Sequence, residues 1–121
     1  MWATQLGGSG NDAACELAVH PGGSLYVGGT FENTCFFGAQ SLTSAGLKDA
    51  FLARYDKDDR VMWGAGGGGP ANEYVGGLGY GPTGNLFLGV RFVGAIRFGS
   101  LSAASVGSSD VLLCQYDDPQ R

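Results

Sequence analysis

Apolar residues recur along the chain in short bursts separated by turn-forming clusters, and no stretch sustains the 3.6-residue period of an amphipathic helix. The pattern predicts strands over residues 13–19, 24–31, 49–55 and 60–65. They are divided by His20-Pro21-Gly22-Gly23, a long connection over 31–48 and the polar turn Asp56-Lys57-Asp58-Asp59. A second set follows over 74–80, 85–92 and 110–116, with Pro82-Thr83-Gly84 as its tight turn. Along the first strand, alternation places Ala13, Cys15, Leu17 and Val19 on one face and Ala14, Glu16, Ala18 and His20 on the other. Leu25-Tyr26-Val27 and Leu86-Phe87-Leu88 are apolar on both faces, which fits sheets covered on both sides.

The two sets are copies of one another. Shifting the chain by 61 residues lays Trp2 on Trp63 and runs without a gap to Arg60 on Arg121, and roughly one pair in three is identical. Asn11/Asn72, Leu25/Leu86, Phe31/Phe92, Asp49/Asp110 and Tyr55/Tyr116 are among them. Residues 1–62 form one unit and 63–121 the other. Four antiparallel strands per period is the signature of a β-propeller blade, so the expected fold is all-β with two four-stranded blades per chain. The partner strand carries Tyr74, Gly76, Leu78 and Tyr80 on one face and Val75, Gly77, Gly79 and Gly81 on the other, and its small residues suit a crowded innermost position.

In the first unit the strand around Trp63 completes the blade, whereas the second stops at Gln120-Arg121, where its equivalent should begin. That strand stands at the other end, as Trp2, Ala3, Thr4, Gln5 and Leu6. These residues are expected to pair with Val111, Leu112, Leu113, Cys114, Gln115 and Tyr116 of a second copy. Such a head-to-tail contact must close into a ring or grow. Three copies make six blades and four make eight. The alternative is that the sequence is an excerpt of a longer propeller chain that closes its own ring.

Composition narrows the classes further. Gly is 23 of 121 residues while the apolar share is an ordinary 44%, a pairing that fits a tight-turned β protein and excludes a disordered or collagenous one. A net charge of −4 with scattered Lys and Arg leaves no footprint for nucleic acid. No apolar run approaches a membrane span, and Met1-Trp2-Ala3-Thr4 does not read as a signal sequence. Cys15, Cys35 and Cys114 are an odd set without a Cys-x-x-Cys, which excludes a closed disulfide framework; three buried free thiols are expected, with one disulfide plus a free thiol as the alternative.

Antiparallel strand order brings the connections over 7–12 and 31–48 to one end of the blade, where binding usually lives. The candidate ligand residues there are Asn11, Asp12, Glu32 and Asn33, with Asn72 and Glu73 as counterparts. The competing role for them is to satisfy backbone amides in Gly-rich turns, with Phe36, Phe37 and Phe98 as core anchors. Asp49 and Asp110 each open a strand and repeat in register, which favours a structural role over a cation site. The Asp56 to Asp59 cluster lacks the Gly and Glu of a calcium loop, with Val61 and Gly67 in those places. Two Gly-x-Gly-x-x-Gly matches, at 64–69 and 79–84, open no helix and so carry no dinucleotide signal. The only histidine, His20, lies in a tight turn at the opposite end, and Cys15 with His20 lacks further zinc ligands. No catalytic residue, metal or cofactor is therefore expected.

The order Leu6-Gly7-Gly8-Ser9-Gly10-Asn11-Asp12, Leu25-Tyr26-Val27-Gly28-Gly29-Thr30 and Asp49-Ala50-Phe51-Leu52-Ala53-Arg54-Tyr55-Asp56, leading to Trp63, resembles the SBBP-type β-propeller repeats of bacterial secreted and surface proteins. Phe36-Phe37-Gly38 with Leu42-Thr43-Ser44-Ala45-Gly46 is similar to Gly-rich members found in large myxobacterial proteins. The second unit departs from the pattern at Pro70-Ala71, Arg91 and Arg97. The resemblance implies a propeller fold and an extracellular or cell-surface setting, and brings no established activity. The expected function is a non-enzymatic scaffold that assembles with itself as a trimer or tetramer and presents a loop-lined face to protein partners. A glycan-binding lectin using that face is the alternative.

Overall fold

The computed structural model describes residue 3 and residues 5–37, 40–81 and 85–116, an all-β structure of antiparallel strands without a helix among them. In chain order the strands are β1 (Gly7–Gly8), β2 (Asp12–Val19), β3 (Leu25–Phe37), β4 (Gln40–Tyr55), β5 (Val61–Gly68), β6 (Tyr74–Tyr80), β7 (Leu86–Phe92), β8 (Ala95–Phe98), β9 (Leu101–Ala104) and β10 (Asp110–Tyr116). β2 to β5 form a four-stranded meander, and β6, β7 and β10 a separate sheet in the order β10-β7-β6. The second sheet thus has three strands among the described residues, with β10 at its edge.

The sequence repeat is reproduced in the hydrogen-bond register. Ala13↔Thr30 and Val19↔Leu25 in the first unit correspond to Tyr74↔Arg91 and Tyr80↔Leu86 in the second, each shifted by 61 residues. Even the β-bulge recurs, between Ala14 and Glu16 and between Val75 and Gly77. A bulge adds one residue to its strand and reverses the faces beyond it. Beyond the bulge Leu17 and Val19 share one exposed face, while their counterparts Leu78 and Tyr80, beyond the same bulge, pack against the other sheet.

The span from 31 to 48 is not a loop. β3 and β4 continue as a hairpin arm, pairing Glu32↔Lys48 and then Thr34↔Thr43 to Phe37↔Gln40 across a second irregularity, with Asn33 at φ 60. The 61-residue equivalents of that arm are β8 and β9, a hairpin pairing Ala95↔Ala104 to Phe98↔Leu101. β8 also pairs with the end of β5, through Gly67↔Phe98 and Gly68↔Arg97. β1 pairs with β3 in the equivalent way, through Gly7↔Phe36.

The two sheets pack face to face. Tyr26, Ala50, Leu52 and Trp63 of the first meet Leu86, Leu88, Val90, Phe92 and Cys114 of the second in one buried cluster. At one end Tyr26 stacks on Tyr80 at 5.7 Å and Trp63 lies 5.2 Å from Tyr116, ring separations at which aromatic pairs attract. Arg54 is buried there, its guanidinium 5.3 Å above the Tyr26 ring and donating to Ser24 Oγ at 3.0 and 2.8 Å. The first sheet's other face buries Val27, Phe31, Phe51, Ala53 and Tyr55 together with Cys35 and Phe37 of the hairpin arm. Of the expected aromatic anchors Phe37 and Phe98 are buried, but Phe36 is half exposed, because it points away from that arm's packed face. Phe87 is likewise partly exposed, so among the described residues the second sheet is covered on one face. Cys35 and Cys114 are free and buried; the Cys15 side chain lies outside the described set.

Candidate functional site

The polar residues singled out in the sequence fall into two equivalent places. In the second unit they build the joint between the sheets. Asn72 Oδ1 accepts a hydrogen bond from the Lys48 amide at 3.1 Å, and the Glu73 amide donates to Lys48 O at 2.8 Å. One Asn side chain and one backbone amide thereby hold both main-chain polar groups of Lys48, the residue before Asp49. This clamp sets Glu73 beside Asp49, both buried. Gly68 makes room for them, since a Cβ there would lie 2.3 Å from the Asp49 carboxyl carbon.

Burial, and after it the Asp49 charge, pushes the Glu73 carboxyl up to about 8. A hydrogen bond with Asp49 acts in the same direction and the Gly69 amide against it. Among the described residues neither Glu73 oxygen is held by a short, well-aligned hydrogen bond. Two carboxyls in one buried place cannot both ionise cheaply, so they hold a proton between them. Asp49 also lines a small open cavity of about 360 Å³ with Arg97, Thr43 and Leu42.

In the first unit the same positions are open. The Asn11 amide donates to Glu32 Oε1 at 3.2 Å and the Glu32 amide to Asn11 O at 3.1 Å. The Gly8 amide donates to Asp12 Oδ2 at 3.1 Å. Asn11 and Asp12 face a polar cavity of about 580 Å³ with Gln5, Gly8, Gly10 and Phe36. Asn33 is exposed at the irregularity of β3. Asn11, Asp12 and Glu32 therefore come together, while Asn72 and Glu73 belong to the joint. Asp110 Oδ2 accepts from the Val106 amide at 2.9 Å, as a turn-capping side chain does. Among the described residues no group of three His, Cys, Asp or Glu side chains is placed to hold a metal ion.

The remaining expected features are turns and strands. Asp56 Oδ1 accepts from the Asp58 and Arg60 amides at 2.8 and 2.9 Å, which draws its carboxyl below the usual carboxylate range. His20 Nδ1 accepts from the Gly22 amide at 2.9 Å, and its ring lies 5.2 Å from Tyr80. The glycines at 64–68 lie in β5.

Two apolar surfaces are left uncovered, and they are related by the repeat. Phe87, Val111 and Leu113, exposed by 43, 69 and 79%, stand 61 residues after the buried Tyr26, Ala50 and Leu52. Leu17 and Val19, exposed by 60 and 68%, stand 61 residues before Leu78 and Tyr80, which pack against the buried cluster. The exposed residues of each face are thus counterparts of residues that pack between the two sheets, although Val27 and Phe31, on the same face as Leu17 and Val19, are already buried within the first unit. No protein-family model, curated protein or solved structure matches this chain.

Leu17 also lines an open, largely apolar cavity of about 520 Å³ with Leu6, Ala13, Leu25, Val27 and Tyr55. Within the expected strand-exchange segment, Trp2 and Thr4 lie outside the described residues. Ala3, Gln5 and Leu6 lie outside any strand, whereas Val111 to Tyr116 lie in the edge strand β10. An unpaired strand edge beside an exposed apolar face favours association. The Asp49–Glu73 pair escaped the sequence reading because its members belong to different units. The usable signal was the acid shared by Asp12 and Glu73, in phase with Asp49 and Asp110.

Proposed function

We propose that this chain is a two-blade β-propeller module that joins head-to-tail with copies of itself into a closed six- or eight-bladed ring, and works as a non-enzymatic scaffold. The observation that carries the reading is the pair of uncovered faces. Phe87, Val111 and Leu113 on one, and Leu17 and Val19 on the other, repeat the positions that bury one another between the two sheets. Removing five such side chains from water is worth about 1 to 2 kcal/mol each, enough to offset a substantial part of the cost of association. The internal pairing of β4 with β5, Ala50↔Gly67 to Arg54↔Trp63, supplies the register for the contact between copies. Shifted by 61 residues it becomes Val111↔Leu6, Leu112↔Gln5, Leu113↔Thr4, Cys114↔Ala3 and Gln115↔Trp2.

Light scattering behind a sizing column, across a dilution series, tests this. A single mass of three or four chains that does not change on dilution is expected. A monodisperse monomer overturns the reading and makes the free faces the seats of further units in a longer chain.

The polar cavity at Asn11, Asp12 and the half-exposed Phe36 favours a second reading, a lectin that stacks a sugar on the aromatic ring. Binding on a glycan array that is lost in Phe36→Ala and Asn11→Ala would support it.

A further inference from the structure

The joint inside the chain has a half-built counterpart at each free face. Asp110 stands 61 residues after Asp49 and Ser109 after Lys48; Asn11 and Asp12 stand 61 residues before Asn72 and Glu73. In the internal joint, Asn72 and Glu73 grip the main chain of Lys48 and lay one buried carboxyl against another. We propose that Asn11 and Asp12 of one copy grip the main chain at Ser109 of the next, so that Asp12 is buried against Asp110 and the acid pair is completed only by assembly. This inference rests on the head-to-tail reading above and names the residues that make it specific.

Three features support it. Gly7 and Gly8 precede Asn11 as Gly68 and Gly69 precede Asn72, and the place that the Asp49 carboxyl fills beside Gly68 is lined beside Gly7 by the Asp12 carboxylate itself, 3.1 Å from where a Cβ would stand, so an arriving Asp110 meets Asp12 there. β1 pairs with β3 as the end of β5 pairs with β8, which holds those glycines in the same relation to their hairpin. Asp12 is only half-buried and faces an open cavity, whereas its counterpart Glu73 is covered.

The charge environment differs between the joints in a way that can be measured. Asp49 is preceded by Lys48 and shares a cavity with Arg97. At the junction between copies these positions are Ser109 and Phe36, neither of them cationic. Among the described residues the titratable groups near Asp12 are Cys35 on β3, Tyr55, which lines a cavity with it, and Glu32, which accepts from the neighbouring Asn11 amide, with Asp110 arriving on β10; the Arg91 position of β7 pairs with Val111. The set around Asp12 is acidic, so closing the junction favours a proton held between Asp12 and Asp110.

Assembly should therefore weaken as pH rises through the range where free carboxyls have already lost their protons. The test is sedimentation velocity of the full chain at pH 5, 6.5 and 8, for wild type, Asp12→Asn, Asp110→Asn and Asn11→Ala, with circular dichroism to verify folding. Wild-type assembly should weaken by about tenfold or more between pH 5 and 8. Asp12→Asn should remove that dependence and hold the complex at pH 8, because its amide donates to Asp110. Asn11→Ala should weaken assembly at every pH. Oligomers indifferent to pH and to all three substitutions would overturn this inference while leaving the ring standing. A wild-type monomer at every pH would remove both. If a variant fails to fold, the pH series of the wild type still decides.

Discussion

Replacing Glu73 with glutamine isolates the cost of the buried acid pair. The side chain keeps its shape, loses its proton equilibrium and gains an amide that can donate to Asp49. A carboxyl raised from 4.5 to about 8 favours the folded state fully below pH 4.5, and that advantage is lost as pH rises through 8. At about 1.4 kcal/mol per pH unit, the penalty above pH 8 has a ceiling of about 5 kcal/mol. The open cavity beside Asp49 admits water and lowers it, to roughly 2 to 4 kcal/mol. Urea denaturation of wild type and Glu73→Gln at one protein concentration, every half unit from pH 4 to 9, reads the difference. Contributions from other groups cancel in that difference when they are distant and uncoupled. The variant should equal wild type near pH 4 and exceed it by the stated amount at pH 8. Asp56, with its lowered pKa, loses its contribution only as pH falls through the acid range, and Cys35 and Tyr55, raised to about 11 and 12, act only well above pH 8. Two parallel curves, or a wild type that gains stability from pH 5 to 8, would refute the argument.

If the proposed head-to-tail register holds, Ala3→Cys should form a disulfide with Cys114 of a second copy under mild oxidation, because directly opposed antiparallel residues lie within bridging distance; a ladder on a non-reducing gel shows it, and Cys114→Ser in the same chain should abolish it. Gly68→Ala should cost about 2 to 4 kcal/mol in chemical denaturation, since its Cβ would overlap the Asp49 carboxyl; a change within 0.5 kcal/mol, in the precision of such a measurement, would contradict the crowding. Cys35 should resist alkylation at pH 8 in the folded chain and react once urea unfolds it, because burial and then the Asp12 charge push its thiol up to about 11.

Much of the fold was legible because the repeat carries its own check. A strand read at Leu25 had to recur at Leu86, and both lie at the same place in their sheets, paired with Val19 and Tyr80. The hairpin arm was less legible. Asn33, Gly38 and Gly46 punctuate residues 31–48 like a loop, and a strand of 16 residues exceeds the common length, so β4 was read only from Asp49. The exposure of Leu17 and Val19 was hidden for a different reason. Strand periodicity is the same in both units, and only the stacking of the sheets covers Leu78 and Tyr80 while leaving their counterparts Leu17 and Val19 bare. At the joint, identity of Asn11 with Asn72 showed that a role is repeated, but not that the role is to grip Lys48 in the other unit. Contacts between units depend on how two sheets stack, which strand periodicity does not encode.

β5 belongs to neither unit alone. Its first part completes the four-stranded sheet through Arg54↔Trp63, and its last residues pair with the hairpin of the following unit through Gly67↔Phe98. One unit therefore has no clean seam at which to melt away from its neighbour: opening β5 strips an edge from both. The local openings seen by amide exchange should merge across this strand, so that residues 61–68 and 95–98 gain and lose protection together. A chain assembled from duplicated pieces would then unfold as one cooperative body rather than piece by piece.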